Sequence, residues 1–120
     1  LRAIDAGVAY RPPSLALPWT GPWQICVRGE AGETIVGGIG FKGGPVDGTV
    51  EIGYGIAESA RGRGYVTDAV MALLQLVGDH EVSVVAETEP GNDASERVLQ
   101  RCGFVVTHTA ADGNLWWRAA

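Results

Sequence analysis

A chain of 120 residues and 12.6 kDa is the size of one domain, long enough to bury a core without disulfide staples. Apolar residues at 46% and charged residues at 19% exclude a disordered chain. A net charge of −5 argues against broad electrostatic binding to nucleic acid or an anionic membrane. No apolar run nears the ~20 residues of a membrane span, and no signal-peptide pattern opens the sequence, so the expectation is a soluble, cytoplasmic protein. Residues 1–120 read as a single domain whose first 22 residues are an irregular lead-in.

That lead-in carries Pro12, Pro13, Pro18 and Pro22, which prevent continuous helix and favour extended chain. Trp23–Val27, Thr34–Phe41 and Thr49–Ile56 are strand candidates separated by glycine-rich turns, the pattern of an antiparallel meander. The period then changes. Val66, Ala69, Val70, Leu73, Leu74 and Val77 follow helical spacing up to a stop at Gly78. Val82–Thr88 is an apolar, β-branched run and so a buried strand. Asn92 is placed to cap a second helix that carries Ala94, Val98, Leu99 and Cys102 on one face and ends at Gly103. Phe104–Thr109 and Asn114–Arg118 form a last hairpin around Asp112-Gly113. The order is βββ-α-β-α-ββ. It predicts an α/β fold, α+β by some labels: one mixed, mostly antiparallel sheet with two principal helices.

Two glycine-rich stretches invite a ligand. Gly38-Ile39-Gly40-Phe41-Lys42-Gly43 matches the dinucleotide fingerprint G-x-G-x-x-G, but its first glycines lie inside a strand and no helix follows. The plainer reading is a strand with small residues and a loop. Arg61-Gly62-Arg63-Gly64-Tyr65 follows a strand and opens the best helix in the chain. Glycines there allow close backbone approach, and helix-start N–H groups favour a phosphate. The alternative is a solvated turn with two surface arginines.

Residues 50–66, Val-Glu-Ile-Gly-Tyr-Gly-Ile-Ala-Glu-Ser-Ala-Arg-Gly-Arg-Gly-Tyr-Val, resemble the core of the GNAT superfamily of acyl-CoA-dependent N-acetyltransferases. The family signature at a strand-to-helix turn is Gln or Arg, two residues of any kind, Gly, any residue, then Gly or Ala. Arg61, Gly64 and Val66 match all but the last position. Asn92-Asp93-Ala94-Ser95 through Cys102-Gly103-Phe104 is similar to the family's second motif. The likeness covers about residues 34–110, and its nearest branch looks like the one that includes the ribosomal-protein N-terminal acetyltransferases.

The resemblance implies acetyl-CoA as co-substrate. Its pyrophosphate would rest on the backbone of Arg61, Gly62, Arg63, Gly64, Tyr65 and Val66. Its pantetheine arm would pair with backbone near Tyr54 and Ile56 and meet Asn92. Val66 departs from the small residue of the pattern, and Glu58 stands where many members carry proline. The family usually begins with a strand and one or two helices before the meander. The chain therefore resembles a member lacking its first strand and helix, or one completed by a partner, and a bare sheet edge favours a homodimer.

Acetyl transfer needs a neutral amine, an oriented thioester and a proton for the leaving thiolate. Strand alternation puts Val50, Ile52, Tyr54 and Ile56 on one face and Glu51, Gly53 and Gly55 on the other. Glu51 beside two residues without side chains has an open groove next to it. It is the candidate base, as the resemblance also implies; the alternative is a polar residue on a solvated face. The tyrosine that many members use as acid is replaced here by Leu99. Ser95, one turn earlier, is the substitute donor or simply a first-turn helix residue; Tyr54 and Tyr65 are further donors. His80, His108, Cys26 and Cys102 have no metal-ligand spacing and read as structural or surface residues, so no metal is expected. The leading function is an N-acetyltransferase that moves an acetyl group to a primary amine, on a small molecule or a protein N-terminus, by direct attack. The competing one is a non-catalytic acyl-CoA-binding or regulatory domain. The acceptor is not written in the sequence.

Overall fold

A computed structural model describes residues 2–3, 8–11, 19, 22–30, 32–78 and 80–120. Strands β1 (Arg2–Ala3) and β2 (Val8–Arg11) precede the meander of β3 (Trp23–Gly29), β4 (Gly32–Phe41) and β5 (Thr49–Ile56). Helix α1 (Tyr65–Val77), strand β6 (Ser83–Thr88) and helix α2 (Asp93–Arg101) follow, and β7 (Phe104–Thr109) and β8 (Leu115–Ala119) form the last hairpin. One sheet takes all eight strands of the described residues in the order β1-β2-β3-β4-β5-β6-β8-β7. The six strands and two helices expected from residue 23 onward are all there, in the expected order and within two residues of their expected ends or, for β4, of its start.

The lead-in is the correction. Val8–Arg11 is not irregular chain: it pairs antiparallel with β3, from Val8 opposite Val27 to Arg11 opposite Gln24. The prolines at 12, 13 and 18 lie outside the described residues. Because β2 covers the β3 edge, the bare edge that argued for a homodimer is not at that place.

Pairing within the sheet is antiparallel except between β5 and β6, the two strands joined through α1. A crossover helix of this kind must lie on one face, and α1 does so because its apolar stripe recurs every three to four residues. Ala69, Val70, Leu73 and Val77 are buried by it against Ile39, Val50, Ile52 and Val84 of the sheet. From α2, Leu99 is fully buried and Cys102 nearly so, while Ala94, expected on that core face, is exposed. Trp117 of β8 is buried, and its indole N–H donates to the Thr88 hydroxyl at 3.0 Å; its neighbour Trp116 faces the other way and stacks on His108. Both cysteines are buried and free. Burial raises the Cys102 thiol above its usual range, aided by the Asp68 carboxylate, so it is a small apolar packing residue and not a reactive thiolate.

The glycines of β4 serve packing. A side chain on Gly37 would run into the backbone of Gly55 and Ile56, so two strands can meet there only around a glycine. Gly38 and Gly40, the first glycines of the dinucleotide-like match, sit inside the β4–β5 ladder opposite Gly55 and Gly53, and β5, not a helix, follows them.

Candidate active site

The 61–66 turn forms as its glycines demand. After a short 3-10 turn at Glu58–Ala60, Gly62 and Gly64 both take left-handed backbone, with φ of 76° and 81°. An L-residue is strained there, whereas glycine is not. Gly64 is the N-cap of α1 and supplies no side chain to cap it. The first helical bond runs from the Asp68 N–H to the Gly64 carbonyl, so the N–H groups of Tyr65, Val66 and Thr67 have no carbonyl one turn back. A Cβ placed on Gly62 or Gly64 would meet nothing within 4 Å, which leaves space for another molecule against this backbone.

That space is the end of a cleft of about 480 Å³. Its walls are the C-terminal half of β5 (Tyr54, Gly55, Ile56), the 60–67 turn and helix start, and one face of α2 (Asn92, Ala94, Ser95, Arg97, Val98, Arg101). Ten of the residues selected from sequence thus come together: Tyr54, Ile56, Arg61, Gly62, Arg63, Gly64, Tyr65, Val66, Asn92 and Ser95. Glu51 is the one that does not line it. The described lining carries Arg61, Arg63, Arg97 and Arg101, four of the chain's eight arginines, and no Asp or Glu. In a chain of net charge −5 this is a local cationic site, and it suits a phosphate group by charge and by the helix-start N–H groups together.

Arg97 and Arg101 went unnoticed in the sequence. They lie four residues apart on α2 and so share a face. Their spacing with Ala94 and Val98 marks that face, but only the fold brings it opposite the 61–66 turn. Asn92 serves its own helix: its side-chain oxygen accepts the Ser95 N–H at 3.2 Å, as a capping residue should.

At the other end of the cleft the sheet forks. The β5–β6 ladder runs from Thr49 opposite Ser83 to Glu51 opposite Val85 and then stops, while β5 continues to Ile56 and β6 to Thr88. Beyond Glu51, the β6 side of β5 has no strand partner among the described residues. Tyr54 stands at this fork on the helix face, half-buried, and lines the cleft together with Ser95. Burial pushes its phenol above the usual tyrosine range. The neighbouring Ser95 side chain pulls the other way, and the Cys102 side chain adds a smaller push. Tyr54 therefore keeps its phenol proton at neutral pH, with Ser95 beside it in the cleft lining.

Glu51 lies on the opposite face, at the last rung before the fork, as the alternation of β5 predicted. Its carboxylate is 2.7 Å from the Lys42 ammonium. The sequence had not joined these residues; the β4–β5 register does, through the Lys42 N–H bond to the Glu51 carbonyl at 2.8 Å. A pair this exposed is worth at most about 1 kcal/mol. A donor on one face and a carboxylate on the other thus flank one opening in the sheet. His80 is exposed, edge-on to Trp19 at 5.1 Å, and no group of metal ligands occurs among the described residues.

A forked mixed sheet with a cationic, glycine-lined helix start beside the fork defines a class of site. Its cleft suits an elongated ligand with a phosphate group at the cationic end. The chain belongs to the GNAT acetyltransferase family: the model for the acetyltransferase (GNAT) domain matches residues 9–105. It is 34% identical over 85 residues to YjdG of Bacillus subtilis strain 168, an uncharacterized N-acetyltransferase, covering 68% of this chain and 51% of that protein. The chain therefore spans about half the length of the curated relative it matches. Among solved structures, the acetyltransferase from Agrobacterium tumefaciens strain C58 superposes with a TM-score of 0.70 at 28% identity, over 83% of this chain and 60% of that one. The microcin C7 self-immunity acetyltransferase MccE, solved with acetyl-CoA and AMP, gives a TM-score of 0.70 at 24% identity over 81% of this chain and 59% of its own, a likeness of fold. No described helix is long and apolar enough to cross a membrane.

Proposed function

We propose that the protein is an acetyl-CoA-dependent N-acetyltransferase that acts on a primary amine, of a small molecule or a protein N-terminus, by direct attack. The observation that carries this reading is one opening in the sheet flanked by three kinds of group: a phosphate-binding turn along the cleft, the Tyr54–Ser95 donor pair on the helix face, and Glu51 on the other face. The backbone of 61–66 and the four arginines hold the pyrophosphate. The unpaired side of β5 from Ile52 onward offers backbone groups to the extended arm of the co-substrate. That arm brings a thioester to the fork.

The residues then divide the proton work. An amine arriving on the Glu51 face gives up a proton to that carboxylate, directly or through a water, and becomes a nucleophile. The Tyr54 phenol, protonated at neutral pH and beside Ser95 in the cleft, supplies a proton to the leaving thiolate. This assigns to Tyr54 a larger share of the acid's work than to Ser95 alone. Membership of an acetyltransferase family and a fold neighbour solved with acetyl-CoA support this choice of ligand.

The test is a calorimetric titration with acetyl-CoA, followed by a panel of primary amines assayed for free CoA thiol. Tight binding with turnover on at least one amine is the expected result. Binding without turnover on any amine favours the regulatory reading, and no binding refutes both.

A further inference from the structure

Lys42 is the only lysine in the chain. It follows β4 directly, and its backbone bond to Glu51 sets the two residues opposite each other, with side chains on the same face. The Lys42 stem lies across Gly53: a Cβ added at Gly53 would come within 3.3 Å of Lys42 Cε. The ammonium ends 2.7 Å from Glu51 Oε2. The groove that Gly53 opens beside the candidate base is thus already occupied by a primary amine. An exposed ion pair contributes little to stability, so its position and not its energy is the informative feature.

We propose that Lys42 is a self-acetylation site: the amine that Glu51 holds when no acceptor is present is the first nucleophile that an acyl-CoA thioester at the fork meets. The inference rests on the reading of Glu51 as proton acceptor. The ammonium gives one proton to Glu51. The neutral amine attacks the thioester carbonyl, the N–C bond forms and the C–S bond breaks. The nitrogen's second proton leaves with the thiolate as free CoA thiol, and solvent removes the proton on Glu51. Attachment to the same chain replaces a bimolecular encounter with a local one, which favours this amine over dilute acceptors. The acetylated side chain is neutral, so it releases Glu51 and the Gly53 face to an incoming acceptor.

The experiment incubates the full chain with acetyl-CoA and follows the intact mass, with peptide mapping to separate Lys42 from the terminal amine. One acetyl group on Lys42 is expected, at a rate independent of protein concentration and slowed about 100-fold or more by Glu51→Gln. Lys42→Arg keeps the ion pair and should lose the adduct. A second readout needs no acetyl-CoA: the ¹³C-dimethyl resonance of the single lysine should move in Glu51→Gln. Protein that binds acetyl-CoA but leaves Lys42 unmodified overturns the proposal. So does an adduct whose rate is unchanged in Glu51→Gln, a rate that scales with protein concentration, or a lysine resonance indifferent to Glu51. The two readings fail separately: an unmodified Lys42 with Glu51-dependent turnover on an added amine sinks only self-acetylation, whereas turnover indifferent to Glu51→Gln, or no binding of acetyl-CoA, sinks both.

Discussion

Replacing Gly64 with alanine separates the structural role of the 61–66 turn from its role as a binding surface. Gly64 has φ of 81° and ψ of 4°, and its added Cβ would meet no atom within 4 Å. The cost to the free protein is therefore backbone strain alone, about 1–2 kcal/mol for an L-residue in the left-handed region. Gly103, beyond α2, has φ of 85° and is equally open, but it does not line the cleft. Gly64→Ala and Gly103→Ala should thus lower the urea midpoint by similar amounts, roughly 0.3 to 2 molar for a slope of about 1–3 kcal/mol per molar. Their affinities for acetyl-CoA should diverge. At Gly64 the new methyl group stands where a pyrophosphate must touch the backbone, and calorimetry should find binding weaker by tenfold or more, about 1.4 kcal/mol. Gly103→Ala should bind as the parent does. Equal affinity in the two variants would refute the assignment of the turn.

Glu51→Gln should leave acetyl-CoA affinity nearly intact and lower turnover by ~10²–10⁴, measured by thiol release; turnover equal to the parent's would remove Glu51 from the proton acceptor's role. Replacing Arg97 and Arg101 together with alanine should weaken acetyl-CoA binding and flatten its dependence on salt, since exposed charges act through a screened field; a salt dependence equal to the parent's would remove both from the site. The raised phenol of Tyr54 favours the neutral form in the folded state. Its contribution to stability is complete below the ordinary tyrosine value of about 10 and is lost as pH rises through the raised one. An absorbance titration should show one phenol ionising late, and Tyr54→Phe should remove that step and no other.

Much of this was legible in the sequence because the signals are local. A change of period from two to near four separates β5 from α1. Asn92 announces α2 by its capping chemistry, and glycines at 62 and 64 mark a left-handed turn before a helix. What stayed hidden depends on register and on packing between distant segments. Nothing in Val8–Arg11 shows that it pairs with β3, since eleven residues rich in proline separate them and the pairing pattern is not in either run alone. The Lys42–Glu51 pair follows from where β4 ends against β5. Arg97 and Arg101 carry no local signal of their own and join the site only because α2 lies across the cleft from the 61–66 turn.

The fork between β5 and β6 also sets where the sheet is held most loosely. The strands share three rungs and then part, so several residues of two central strands have their outer hydrogen bonds open in the middle of the sheet and not at its rim. Amides on that side of β5 should exchange with solvent protons far sooner than their neighbours that point toward β4. A ligand whose own amide groups bridge the gap would slow them to the rate of an interior strand. For this domain, filling the site is then equivalent to finishing the sheet, and the temperature at which it melts should climb with the concentration of whatever completes it.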